Sequence, residues 1–151
     1  MLQLTKNFSL SELTKSGTAL RLNIDNTPSP EVIERLEMLC IKIAQPVREY
    51  VRKAVTVNSG YRCPLLNAAI GSSWKSQHVM GQALDIEVWG LDNYVLACWI
   101  RDNLEFDQLI LEFYTGEPQS GWVHISYVSI AENRNECLTI NKGNIKRGLV
   151  G

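Results

Sequence analysis

The chain has 151 residues, 45% of them hydrophobic and 21% charged, with a net charge of −1. That size fits one domain able to bury roughly 70% of its unfolded surface, and the near-neutral charge gives electrostatics no grip on nucleic acid. No apolar run approaches the ~20 residues that cross a bilayer, and the first residues lack the charged and apolar regions of a secretory signal. The expectation is a monomeric product made in the cytoplasm, with no nucleic-acid partner and no stable membrane association. Cys40, Cys63, Cys98 and Cys137 are widely spaced and form no C-x-x-C pair, which favours free thiols over disulfides or a cysteine-rich zinc knot.

Ser9 followed by Glu12 is a capping-box signal and predicts a short helix to about Lys15, with Leu10 and Leu13 on one face. Residues 23–30 carry Asn, Asp, Thr and prolines and read as a loop. Ser29, Pro30 and Glu31 then supply an N-cap, a first-turn proline and a first-turn acid. Val32, Ile33, Leu36, Leu39, Cys40, Ile43, Val47, Tyr50 and Val51 recur at helical spacing, which predicts one long amphipathic helix that Pro46 kinks or divides.

Residues 55–58 have the β-branched alternation of a strand, residues 64–70 read as a short helix, and residues 71–76 as a loop. Residues 83–88 predict a strand with Leu84 and Ile86 on one face and Asp85 and Glu87 on the other. A helix over 91–103 carries Val95, Leu96, Trp99 and Ile100, and strands follow at 107–113 and 122–128, joined by a polar loop. An edge strand is expected at 137–140, and residues 141–151 read as a loose tail after a single domain spanning 1–140. Helices mostly precede strands without regular alternation, so the fold class expected is α+β: an antiparallel sheet flanked by helices.

Chemistry concentrates between Ser76 and Asp85, where His78 and Asp85 flank Gly81. The only other histidine is His124, in a strand-like stretch far along the chain. A catalytic zinc takes three protein ligands and keeps a fourth position open for water. Gly81 tolerates the turn that would bring His78 back beside Asp85. The spacing by itself is weak evidence, because a lone histidine is more often structural and a strand aspartate can simply face water. A His/His/Asp set suits zinc among the divalent ions. Cys63 has no neighbouring histidine to activate it, which excludes a cysteine nucleophile.

Ser59-Gly60-Tyr61-Arg62, Asn67, Ser76-Gln77-His78, Gly81-Gln82-Ala83-Leu84-Asp85-Ile86 and Trp122-Val123-His124-Ile125-Ser126 occur in this order. Together they resemble the zinc D-Ala-D-Ala carboxypeptidase family, in the group that contains lysostaphin-type enzymes and Hedgehog domains. The segments Phe8 to Leu13 and Gln45 to Arg48 are similar to its small phage-type branch, so the resemblance covers about residues 7–128. It implies Zn2+ held by His78, Asp85 and His124, with Arg62 holding substrate or stabilising an oxyanion. Peptide bonds of peptidoglycan stem peptides are the implied substrate.

The general base stays open. Many relatives carry an acid three residues before the last histidine ligand, where this chain has Gly121. Glu112, ending the preceding strand, resembles the Hedgehog and dipeptidase arrangement, and Glu117 in the loop is the alternative. Ser76 and Gln77 are candidates for binding substrate backbone or supporting the ligands, and Tyr61, Trp74 and Trp122 for lining the cleft or packing. The implied protein is a peptidoglycan carboxypeptidase or endopeptidase, a phage endolysin or virion-associated lytic factor acting at the bacterial cell wall or periplasm. A zinc-binding virion structural protein without catalysis and an amidase or dipeptidase for a small metabolite are the competing readings.

Overall fold

A computed structural model describes residues 2–151. The chain opens with a two-stranded ribbon, β1 (Gln3–Thr5) and β2 (Phe8–Ser9), followed by α1 (Leu10–Thr14), α2 (Gly17–Leu22) and α3 (Pro30–Leu39). A π-helical turn (Cys40–Ala44) leads into α4 (Gln45–Val51). Then come β3 (Thr56–Ser59), α5 (Pro64–Ile70), β4 (Ala83–Glu87), α6 (Asn93–Asn103), β5 (Gln108–Glu112), β6 (Trp122–Ser126), β7 (Glu136–Asn141) and β8 (Asn144–Arg147). No helix among the described residues is long and apolar enough to cross a membrane.

The caps read from the sequence form. Ser9 and Glu12 make a reciprocal capping box, and Ser29 accepts from the backbone N–H of Val32 ahead of Pro30. Pro46 is accommodated rather than breaking the rod. It has no N–H and its ring crowds the carbonyl four residues back, and the widened turn takes up the mismatch, with Gln45 N–H donating to the carbonyl of Cys40. The α3–α4 segment stays continuous and buries Val32, Leu36, Leu39, Cys40, Ile43, Ala44 and Val47. Burial pushes the Cys40 thiol up to about 12. The unexpected α2 has an N-cap at Ser16 and a left-handed stop at Asn23; it buries only Ala19, so no apolar stripe marks it in the sequence.

The α+β architecture is as expected, but the sheet is mixed. Its order is β3-β4-β6-β5-β7-β8, antiparallel except for the parallel β5–β7 pair. The expected loose tail is corrected as well: β8 pairs with β7, which is therefore not an edge. Thr139 Oγ donates to the carbonyl of Gly148 at 2.8 Å and accepts from the N–H of Val150 at 3.0 Å, tying the segment down further.

Strand register separates the two faces of the sheet. Asp85 pairs with His124, His124 with Ile110, and Glu112 with Trp122, so period-two alternation sets these residues on one face. Leu84, Ile86, Val123, Ile125, Leu109 and Leu111 take the other face and belong to the core cluster with the buried side chains of α3, α4 and α6. The polar face is left to the cleft.

Candidate metal centre

Residues 76–82 form a chain of turns between α5 and β4. The carbonyl of Gln77 accepts from the N–H groups of Met80 (3.1 Å) and Gln82 (3.0 Å), and Gly81 N–H closes on the carbonyl of His78 (3.3 Å). Gly81 has φ +72, and a Cβ there would press on the Val32 side chain and carbonyl of α3. Only glycine satisfies both conditions. The turn folds His78 back over β4.

His78 is 3% exposed, and its Nδ1 lies 2.7 Å from the carbonyl of Gly60. A carbonyl only accepts, so Nδ1 is the donor there and Nε2 is the nitrogen left to face a metal ion. That Nε2 is 3.4 Å from Asp85 Oδ1, and His124 Nδ1 is 3.0 Å from the same oxygen. Neighbouring ligands of a tetrahedral zinc with bonds near 2.0–2.1 Å are separated by about 3.3 Å. One ligand atom from each of the three residues falls within 4.8 Å of the other two. The donor set and its spacing fit zinc. The second imidazole nitrogen of His78 is held by a backbone carbonyl, as metal-binding histidines require.

Burial alone would raise the Asp85 carboxyl, but hydrogen bonds and charge from His124 and His78 outweigh it and hold the group well below the usual carboxylate range. It is therefore ready as an anionic ligand. Arg62 Nη2 stands 3.9 Å from Asp85 Oδ2, and Nη1 donates to Asn67 Oδ1 at 3.4 Å. Its Nε is buried without a partner. Burial lowers the Arg62 pKa against the opposing pull of Asp85 and Glu112.

Glu112 Oε1 lies 4.0 Å from His124 Nδ1, outside the ligand trio but beside it. Burial, with repulsion from Asp85, raises its pKa, and His124 and Arg62 only partly offset this. Among the described residues, Asp85 and Glu112 are the two carboxylates lining a cleft of about 580 Å³ that also holds His78, His124, Arg62 and Lys15. Glu117 is exposed on the loop and does not line the cleft.

Ser76, Tyr61 and Trp122 line the same cleft, and the indole Nε1 of Trp122 is buried with no partner. Gln77 does not line it; its side-chain amide donates to Asp107 Oδ2 at 2.9 Å. Trp74 is 81% exposed on the loop outside the cleft lining.

One support escaped the sequence reading. Asn26 Nδ2 donates to the carbonyls of Thr14 (2.8 Å) and Tyr61 (3.0 Å), and its Oδ1 accepts from Cys63 N–H (2.7 Å). It clamps the backbone on both sides of Arg62. Its place in a loop of Asn, Asp and Pro carried no signal beyond turn chemistry.

Among curated proteins none matches the chain by sequence. The family model described as Peptidase M15 matches residues 6–126, which takes in His78, Asp85 and His124 and both candidate catalytic side chains. A match over most of the chain, with this ligand geometry beneath it, makes the protein a member of the M15 peptidases, the zinc D-Ala-D-Ala carboxypeptidase-like family.

Proposed function

We propose that the protein is a zinc metallopeptidase that hydrolyses peptide bonds in peptidoglycan stem peptides, with His78, Asp85 and His124 as ligands. The observation that carries the reading is Glu112: a half-buried carboxylate with a raised pKa, set beside the ligand trio and facing Arg62 across one open cleft. A carboxylate on a partly apolar strand is costly unless paired or in use.

Zinc, when bound, supplies a Lewis acid for the scissile carbonyl and makes an attacking water more acidic. Glu112 takes the proton from that water at a carboxylate oxygen and delivers it to the leaving amine nitrogen, serving as base and then as acid. Its raised pKa suits both tasks. Arg62, fixed by Asn67 and desolvated, faces the oxygen on which negative charge develops; a preorganised cation is worth most in such a site. Tyr61, Ser76 and Trp122 line the cleft, and we assign them to contacts with the substrate chain. The resemblance to the phage-type branch supports a role as an endolysin or virion-associated lytic factor acting at the wall.

The test is digestion of purified peptidoglycan with mass analysis of the products, run for wild type and Glu112→Gln with zinc per chain measured in parallel. Wild type should release peptide fragments whose masses name the bond. Glu112→Gln should keep its zinc and lose about 10²–10⁴-fold in kcat. A wild type that holds zinc stoichiometrically but cuts neither walls nor dipeptides would replace this reading with a zinc-binding structural protein.

A further inference from the structure

The most heavily hydrogen-bonded carboxylate outside the cleft is Asp107, just before β5 and 2% exposed. Its Oδ1 accepts from the backbone N–H of Arg134 (3.0 Å) and from Arg134 Nε (2.9 Å), and its Oδ2 from Arg134 Nη2 (2.8 Å) and Gln77 Nε2 (2.9 Å). Its backbone joins two strands, with N–H donating to Ser126 at the end of β6 and the carbonyl accepting from Glu136 at the start of β7. The carboxylate is thus a fixed point tied into the sheet, with Arg134 already supplying three of its four donors.

The fourth donor leads to the metal centre. Gln77 precedes His78, and its carbonyl is the shared acceptor that closes the turn through Met80 and Gln82. A bidentate Arg134–Asp107 pair would serve stability without Gln77, and Gln77 has no place in the cleft. Its side chain, outside the cleft lining, instead donates to Asp107, a carboxylate that Arg134 already holds in place.

We propose that Asp107, clamped by Arg134, is a positioning residue for the metal centre: through Gln77 it fixes the 77–82 turn and so sets how firmly His78 holds the metal ion. The inference rests on the metallopeptidase reading above. Partners bonded directly to a ligand typically govern metal affinity by about 10–100-fold, and a support acting through the turn backbone is expected at the lower end of that range.

The experiment is chelator competition for Zn2+ with the full chain, for wild type, Gln77→Ala, Asp107→Asn, the double variant and Gln77→Lys, with melting temperatures taken with and without zinc. Gln77→Ala should weaken zinc binding about tenfold or more, while its zinc-free melting temperature stays close to wild type because the Asp107–Arg134 pair is intact. The double variant should bind no more weakly than Asp107→Asn to within about twofold, since both changes cut one connection. Gln77→Lys, which still offers Asp107 a donor, should bind within about twofold of wild type. Equal zinc affinity in wild type, Gln77→Ala and Asp107→Asn would overturn the inference and leave the functional reading standing. A wild type that binds no zinc would overturn both. If Asp107→Asn does not fold, the two Gln77 variants decide the matter alone.

Discussion

Gly121→Ala tests whether the backbone at the end of β5 places Glu112. Gly121 immediately precedes β6 and has φ +62, and a Cβ built on it would fall against the carbonyl oxygen of Glu112 and the backbone of Phe113. The facing segment has little room to yield, because Phe113 is itself left-handed (φ +56) and its N–H donates to the carbonyl of Ile140 at 2.8 Å. A left-handed alanine costs about 1–2 kcal/mol, and forcing a methyl into packed backbone about 1–3 kcal/mol more. For a domain of this size the total, about 2–5 kcal/mol, lowers the melting temperature by roughly 5–15 °C. The displacement must pass into Glu112, and a misplacement on the order of an ångström at a catalytic group costs about 10²-fold in rate. Asp85 and His124 are paired across β4–β6 away from the turn, so zinc should remain bound. The assay is thermal unfolding, zinc per chain and kcat/KM well below the transition. Gly116→Ala in the same connection is the control: φ is +99, but nothing lies within 4 Å of a Cβ. It should carry only the conformational cost, about 1–2 kcal/mol, with activity unchanged. If the two variants behave alike in stability and in kcat/KM, the close approach does not position Glu112 and the reasoning fails.

Asn26→Ala should separate substrate activation from metal binding, because it removes three hydrogen bonds, two of them flanking Arg62, and touches none of the candidate ligands. At about 0.5–1.5 kcal/mol each, it should destabilise by roughly 2–4 kcal/mol and lower kcat/KM with zinc content intact, read by titration and steady-state kinetics; unchanged kinetics would show that Arg62 needs no clamp. Acid sensitivity follows from Asp107. Its hydrogen bonds with Arg134, against the opposing effect of burial, bring its pKa from 3.8 down to about 2. The folded value is depressed, so the stabilisation is complete above about pH 4 and is lost as pH falls from there through about 2. After discounting for screening at the half-exposed Arg134, the contribution is about 1–2 kcal/mol. Denaturant midpoints of wild type and Asp107→Asn should therefore converge across that window; a constant difference down to pH 2 would refute the assignment.

How far the sequence led depends on how locally each feature is determined. The α3–α4 rod, α5 and the strands β3 to β6 were legible because each carries its own period and its own caps, such as Ser29 before Pro30. The candidate trio was legible because two histidines leave few choices, and the motif that follows His78 pointed to Asp85 as the acid that the fold sets beside them. The parallel β5–β7 pairing was not, since β7 fully buries only Thr139 and its direction is set by a partner strand far off in sequence. The same holds for the segment after Asn141, whose anchors are backbone atoms meeting the Thr139 hydroxyl.

The supports of the site were hidden for a related reason. His78 is oriented by the carbonyl of Gly60, eighteen residues away, and Asn26 clamps the backbone of Tyr61 and Cys63. Every residue type carries these backbone groups, proline's missing N–H aside, so no choice of side chain at Gly60, Tyr61 or Cys63 advertises the contact. Asp107 is the instructive exception. Both of its partners, Arg134 and Gln77, are side chains chosen for the task, yet the sequence places one of them beside a ligand and the other in an unremarkable loop. The types are recorded in the chain; the meeting is recorded only in the fold, where the β6–β5–β7 order brings the 77–82 turn and the 129–135 loop to one end of the sheet. Residues that perform chemistry are therefore found from what they are, and residues that hold them in place from where the sheet puts them.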